Sequence, residues 1–288
     1  MKKTILITGS TGCIGLNLIE QLDRKKYNLL TPKHKELDLL KDSAVSKYFK
    51  KNKIDVVVNC ALVGGSRNEE YVNNMVSVNL KMFFNIVRNK KYFGKMIHIG
   101  SGAEYDKSRP LIKIKEEEFD RMVPKDDYGF FKYVCSKYIE SADNIVSLRM
   151  FGLYGKYEDY KLKFISEAIC KNILGLPIII NKNVYFDYVY MNDFIKIIEY
   201  FINNSAKYKF YNVGKGKKIN ILTIAKSVNK IADKKSEIIV KNKGLNNEYT
   251  CDNSRLMKEI KNFKFTDFDQ SLKEFYLWYK SIKSTLEF

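Results

Sequence analysis

Histidine, tryptophan and proline are scarce in this sequence: two, one and four residues, respectively, among 288. With only His34 and His98, far apart and outside any nucleophile motif, a Ser–His–Asp type of hydrolysis is not expected. The five cysteines, at 13, 60, 135, 170 and 251, form no CxxC pair and no zinc-ligand spacing, so no metal is expected. Scattered thiols of this kind suit a reducing cytoplasm. No apolar run approaches the roughly 18 residues needed to cross a bilayer, so no membrane partner is expected. An apolar strand begins almost at once, leaving no room for a signal peptide. No repeat, low-complexity tract or Pro/Gly-rich linker is present, and the length allows one large or two modest domains with a full core.

Acidic residues are also in deficit. Against 51 Lys and Arg there are 33 Asp and Glu, a formal charge of +18. Such a balance invites nucleic acid, but the lysines are spread along the whole chain without an arginine-rich tail or basic block. No nucleic-acid partner is expected; a general positive field would attract an anionic small substrate.

What the chain does have begins at Thr8-Gly9-Ser10-Thr11-Gly12-Cys13-Ile14-Gly15. This glycine run follows the apolar strand Thr4-Ile5-Leu6-Ile7 and precedes a segment with helical spacing, the context in which it binds a dinucleotide. Gly9 permits the tight turn, Gly12 lets backbone approach a pyrophosphate, and Gly15 lets the helix pack on the strand. The helix start around Thr11, Cys13 and Ile14 supplies N–H donors to the anion.

Strand signals at 4–8, 28–31, 55–60, 95–100 and 145–150 alternate with helical stretches at 14–25, 42–52, 70–90 and 128–142. This rhythm predicts an α/β fold: a Rossmann-type, doubly wound parallel sheet over residues 1–150. After 150 the rhythm is less regular, with helices expected at 161–174, 192–203, 220–232 and 268–282. Strands are expected there at 177–181, 209–213 and 236–240. Residues 151–185 and 206–288 read as a smaller α/β substrate domain, with 186–205 packing back onto the first.

The strand at 95–100 ends in Gly100-Ser101-Gly102, and parallel sheets place their chemistry at such ends. Tyr128 and Lys132 lie one turn apart at the start of the following helix, on one face. Six Tyr-x-x-x-Lys pairs occur in the chain; this one stands out by its place after the Ser strand. Its rival Tyr133 would face about 140° away. A ketone accepts hydride at carbon and a proton at oxygen. A free tyrosine, with a pKa of about 10, is a sluggish proton donor at neutral pH, and a nearby ammonium favours its phenolate. Ser101 can hydrogen-bond the carbonyl oxygen as negative charge develops.

Together these motifs resemble the extended short-chain dehydrogenase/reductase family acting on nucleotide sugars. Phe151-Gly152-Leu153-Tyr154-Gly155, Phe186-Asp187-Tyr188-Val189-Tyr190-Met191-Asn192-Asp193 and Tyr211-Asn212-Val213-Gly214 extend the likeness nearly end to end. Within the family, Glu36-Leu37-Asp38-Leu39-Leu40, Ala61-Leu62-Val63-Gly64-Gly65 and Gly100-Ser101-Gly102-Ala103-Glu104-Tyr105 resemble the GDP-L-fucose synthase-like 4-keto-sugar reductases. The resemblance implies catalytic roles for Ser101, Tyr128 and Lys132. It implies cofactor contacts at Asp38 and Leu39 beside the adenine, at Cys60, Ala61 and Leu62, and at Phe151 and Leu153 near the nicotinamide. It places Gly64, Ser101, Gly102, Ala103, Lys163, Phe186 and Arg255 toward the substrate, and it implies a homodimer formed through the Tyr128 helix and the long helix before it.

Two departures bear on activity. The acid/base Cys and His of the epimerising members fall at Ala103 and near Lys163, so reduction without epimerisation is expected. Phe186 stands near an arginine that many relatives use for the nucleotide pyrophosphate, a charge that Arg255 or Lys182 could supply instead. The cofactor is expected to be NADPH more than NADH, because the second strand leads into Lys33, His34 and Lys35, with no carboxylate before Glu36. The expected product is the alcohol of a nucleotide-linked 4-keto-6-deoxy sugar, GDP-linked for preference, in surface-polysaccharide biosynthesis. An NAD-dependent 4-epimerase or 4,6-dehydratase is the alternative, the latter with Glu104 beside Ala103 as an acid/base candidate. A non-catalytic NADP-binding regulator is a third reading, against which the Ser-Tyr-Lys set argues.

Overall fold

A computed structural model describes residues 2–64 and 74–288. In chain order, the first part runs β1 (Lys3–Thr8), α1 (Cys13–Gln21), β2 (Tyr27–Leu30), α2 (Asp42–Lys51) and β3 (Ile54–Asn59). It continues with α3 (Met75–Val87), β4 (Phe93–Ser101), β5 (Leu111–Ile114), α4 (Asp127–Ile139), β6 (Ile145–Met150) and β7 (Gly152–Tyr154). Then follow α5 (Phe164–Ile173), β8 (Ile178–Asn183), β9 (Tyr185–Tyr190), α6 (Met191–Asn203), β10 (Phe210–Val213) and β11 (Lys218–Asn220). The chain closes with α7 (Ile221–Ile231), β12 (Ile238–Leu245), β13 (Tyr249–Cys251), α8 (Ser254–Glu259) and α9 (Phe268–Ser281).

Six parallel strands form the main sheet in the order β10-β6-β4-β3-β1-β2. Successive side chains of a strand point to opposite faces, and the two cores follow that rule. Ile5, Ile7, Val56, Val58, Ile97 and Ile99 enter the core shared with α1 and α6. Leu6, Val57 and Met96, one residue out of phase, enter the core shared with α2, α3 and α4. Both faces are covered, which is why these strands read as continuous apolar runs. Strand order reverses between β2 and β3 on either side of β1, and the crevice at such a reversal is where open α/β sheets bind ligands.

The expected fold class is the one observed. The expected α3 at 70–90 has its described part at Met75–Val87; residues 70–73 lie outside the described residues. Two strands cross the division expected near residue 150. β5 leaves the first half to pair with β13, and β10 leaves the second half to pair with β6 as the sheet's edge. Residues 206–288 therefore do not lie wholly in the second region. Helix α6 packs Phe194, Ile195, Ile198, Phe201 and Ile202 onto the main sheet. Around this frame, β11-β9-β13-β5 with β7, and the pair β12-β8, form the second layer, whose core is filled by α5, α7 and α9.

The glycine turn is sterically tight. Gly9 has φ of +65°, and a Cβ there would lie 2.8 Å from the backbone of Cys60 and Ala61. A Cβ on Gly15 would lie 2.3 Å from the Gly9 carbonyl oxygen, whereas one on Gly12 meets only that oxygen, at 3.4 Å. Gly15→Ala is expected to lower the unfolding free energy by about 1–3 kcal/mol through overpacking, and Gly12→Ala far less; urea denaturation of the two variants checks the difference.

Candidate active site

The C-terminal ends of β1, β3 and β4 bring three polar side chains into a row. Thr8 Oγ1 donates to Asn59 Oδ1 at 2.7 Å, and Asn59 Nδ2 lies 3.2 Å from His98 Nδ1. Burial holds His98 well below its usual pKa, with the nearby Lys132 ammonium acting in the same direction, so the ring is neutral. His98 supports the floor of the site and is not a solvent-facing base.

Beside Thr8 lies a cavity of about 210 Å³ lined by the glycine turn, the Pro32–Leu40 segment, Ala61–Val63 and Met82. Gly9, Thr11, Lys33, His34, Asp38, Leu39, Ala61 and Leu62 all border it, so it brings together eight of the cofactor residues expected from sequence; Gly12, Cys13, Ile14, Gly15, Cys60, Tyr128, Lys132, Phe151 and Leu153 are not in its lining. The fit to a dinucleotide rests on three features. The position a Gly12 Cβ would take is nearly open. The N-terminus of α1 carries no side-chain cap, leaving its N–H groups available to an anion. Leu39 and Met82 give a base apolar walls. Lys33 and His34 are exposed at the rim, and Glu36 is turned away onto the Lys33 amide at 2.7 Å. Cys13 and Cys60 flank this region as neutral thiols, both pushed up to about 12 by burial. Asn79 clamps the loop beyond Cys60, accepting from the Val63 amide and donating to its carbonyl. Gly64, further along the same segment, has φ of +78°.

Ser101 closes β4 and caps a short 3-10 turn, its Oγ accepting from the Ala103 amide at 3.1 Å. Asp126 caps α4 by accepting from the Gly129 amide, which starts the helix at Asp127 and sets Tyr128 and Lys132 on adjacent turns. Lys132 is buried, and its Nζ donates to the Ile99 carbonyl at 2.5 Å. Tyr128 packs edge-on to Phe131, with the Lys107 ammonium 5.5 Å from its ring. Lys132 thus reaches β4 two residues before Ser101, and Tyr128 sits one turn ahead of it on the same helix.

Glu104 is fully buried, and both its carboxylate oxygens are engaged. One oxygen accepts from the Ser101 amide at 2.8 Å; the other accepts from Ser136 Oγ at 2.5 Å and Arg149 Nε at 2.7 Å. Arg149, also fully buried, donates to Tyr105 Oη and lies 4.2 Å from the ring centroids of both Phe119 and Phe210. The sequence offered Glu104 as an acid/base candidate; the structure removes it, because its carboxylate faces this buried network.

Other expected substrate residues divide. Ala103 is buried within the turn itself. A Cβ on Gly102 would fall 2.6 Å from Tyr249 Oη and 2.8 Å from the Phe151 ring. Phe186 and Phe151 both contact the Tyr249 ring, at 6.0 and 4.8 Å between centroids. Leu153 is partly buried on β7, against the main core. Lys163 is exposed at the N-terminal cap of α5, with its charge felt by Cys13 and Glu158. Arg255 is not free for a pyrophosphate: it donates to Glu117 and to the Phe210 carbonyl, and its Nε is 3.8 Å from Glu116. Tyr249 is the site residue that sequence reasoning missed. Its strand is three residues long, and no local motif marks it.

The family pattern described as "NAD dependent epimerase/dehydratase family" matches residues 5–214. The chain belongs to this family. Among curated relatives it is 26% identical over 264 residues to GDP-L-colitose synthase of Yersinia pseudotuberculosis, spanning 82% of this chain and 84% of that one. Among solved structures it resembles a GDP-mannoheptose C4 reductase from Campylobacter jejuni with NADP bound. That match has a TM-score of 0.82 and 22% identity, covering 97% of this chain and 98% of the other. UDP-glucose 4-epimerase from Thermotoga maritima gives the same TM-score, 0.82, at 18% identity over 97% and 99% of the chains. The shared fold therefore does not separate reductase from epimerase; the side chains at the end of β4 must.

Removing one partner of a buried ion pair strands the other charge. Glu104→Gln is expected to lower the unfolding free energy by about 3–5 kcal/mol, measured by urea denaturation at neutral pH. A loss below about 1 kcal/mol, the range of an exposed pair, would contradict the role given to this network.

Proposed function

We propose that the protein reduces the C4 ketone of a 4-keto-6-deoxy sugar carried on a nucleoside diphosphate, GDP for preference, without epimerising the sugar, in surface-polysaccharide biosynthesis. NADPH is the hydride donor in this reading. The observation that carries it is the state of the turn after Ser101. Ala103 has no titratable group, and the neighbouring Glu104 is committed to Ser101, Ser136 and Arg149. Proton traffic at a sugar carbon beside the ketone needs an acid/base group there. Ketone reduction needs one proton at oxygen, and Ser101, Tyr128 and Lys132 suffice for that.

Reduced nicotinamide, when bound, supplies hydride to the carbonyl carbon. Ser101 hydrogen-bonds the carbonyl oxygen and stabilises charge as it develops there. Tyr128 delivers the proton to that oxygen. Lys132, fixed to the Ile99 carbonyl, stabilises the phenolate left behind. The relatives named GDP-L-colitose synthase and GDP-mannoheptose C4 reductase support both the GDP-linked substrate and the C4 position. The NADP in the latter, with Lys33 and His34 at the cavity rim here, supports NADPH.

The reading includes a cytoplasmic homodimer formed through α3 and α4. Met82, Phe83 and Phe131 of these helices are core residues, so a dimer face would draw on the partly covered Met75, Val76, Leu80, Val134 and Tyr138. The fold likeness to a 4-epimerase keeps one alternative in play, an NAD-dependent 4-epimerase or 4,6-dehydratase. That alternative requires cofactor held through turnover, so NAD co-purifying with the protein would favour it.

Purified protein is expected to oxidise NADPH in step with reduction of a GDP-linked 4-keto-6-deoxyhexose, ahead of the CDP-, dTDP- and UDP-linked analogues. In D2O without cofactor, no deuterium should enter C3 or C5; incorporation at either carbon would overturn reduction without epimerisation. The double variant Lys33→Ala/His34→Ala should lower kcat/KM for NADPH by about tenfold or more, as expected for lost charge-assisted hydrogen bonds, and leave NADH use unchanged. Steady-state kinetics with both cofactors decides it.

A further inference from the structure

Tyr249 reaches the catalytic centre from the far side of the sequence. Its strand β13 pairs with β5 at Leu111 and with β9 at Phe186. Phe151 and Phe186 pack on its ring. Its hydroxyl passes over Gly102, where any side chain would collide with it at 2.6 Å, and this places it next to Ser101, whose hydroxyl is near enough to influence it. Glycine at 102 thus makes room for a phenol beside the catalytic serine.

A serine hydroxyl has one proton to give and two lone pairs to fill. One lone pair of Ser101 already accepts from the Ala103 amide at 3.1 Å. A ketone oxygen is an acceptor only. With such an oxygen at Ser101, the serine proton must go to it, and the remaining lone pair is left for Tyr249. Resting on the reductase reading above, we propose that Tyr249 is a positioning residue: its O–H donates to Ser101 and fixes the serine as a donor to the substrate carbonyl. Hydrogen bonds in a chain polarise one another, so Tyr249 also strengthens the bond that Ser101 makes. Burial raises the Tyr249 pKa well above that of a free tyrosine, so its phenol keeps its proton over the working range. The proton that reaches the alkoxide comes from Tyr128, and Tyr249 ends the cycle unchanged.

Tyr249→Phe keeps the ring and its packing and deletes only the donor. With NADPH and a GDP-linked 4-keto-6-deoxyhexose, kcat should fall by about ten- to a hundredfold while KM changes less than about twofold. This is a smaller loss than the roughly hundred- to thousandfold from deleting a direct oxyanion donor. Because Tyr249 acts through Ser101, the double variant Ser101→Ala/Tyr249→Phe should be no slower than Ser101→Ala alone. Additive losses in the double variant, or a wild-type kcat for Tyr249→Phe, would overturn the proposal. A second readout does not depend on turnover. In 3-fluorotyrosine-labelled protein, the 19F resonance that Tyr249→Phe removes should shift when Ser101 becomes alanine; an unmoved resonance overturns the contact. Wild-type protein inactive on every 4-keto sugar would refute the reductase reading itself, while the 19F shift still decides the Tyr249–Ser101 pairing.

Discussion

The buried pair of Glu104 and Arg149 organises the end of the sheet that holds the candidate active site. One carboxylate holds the Ser101 amide on β4, the Ser136 hydroxyl on α4 and the Arg149 guanidinium on β6. The helix it grips is the one that carries Tyr128 and Lys132, so the serine and the Tyr-Lys pair are referred to a single anion. Desolvating two charges is expensive, and a pair of this kind is weak evidence for net stability. Its contribution is geometric: the groups proposed to meet a carbonyl oxygen sit on elements tied to one point. The faces of the guanidinium are covered by Phe119 and Phe210, both 4.2 Å away, and its Nη2 atom has no hydrogen-bond partner among the described residues.

The same pair narrows the chemistry. A carboxylate beside the proposed catalytic serine reads in sequence as a possible proton shuttle, yet both its oxygens here are already engaged by Ser101, Ser136 and Arg149. What borders the turn after Ser101 is aromatic: Phe151, Tyr249, Phe186 and Tyr188 form a run of ring contacts from the β6–β7 junction through β13 to β9. Such a wall can pack on the apolar face of a sugar and adds no base, in keeping with the proposed reduction.

Much of this was legible in the residues. Strands buried on both faces announce themselves as apolar runs, and a glycine turn between strand and helix carries its own geometry; Gly9 and Gly15 are glycine for the steric reasons that the pattern implies. The places of Ser101, Tyr128 and Lys132 follow from local order along the chain. What stayed hidden depends on distant partners. β5, β7, β11 and β13 have three or four residues each, too few to show a period. Arg255 reads as a free cation until Glu116 and Glu117, more than a hundred positions earlier, are seen to hold it. Glu104 reads as available until Arg149 and Ser136 are folded around it. Tyr249 has no neighbouring motif at all, and only the pairing of β13 with β5 and β9 brings it to the serine.

The exchange of strands between the two halves has a consequence for how the protein is made. β10 is the edge of the main sheet, and Phe210 at its start covers one face of the buried guanidinium. On a ribosome, the first five strands of the sheet emerge well before residue 210. Until β10 follows, Arg149 lacks that cover and β6 has an open edge. The main sheet is therefore complete only once a strand encoded some sixty codons beyond β6 has joined it.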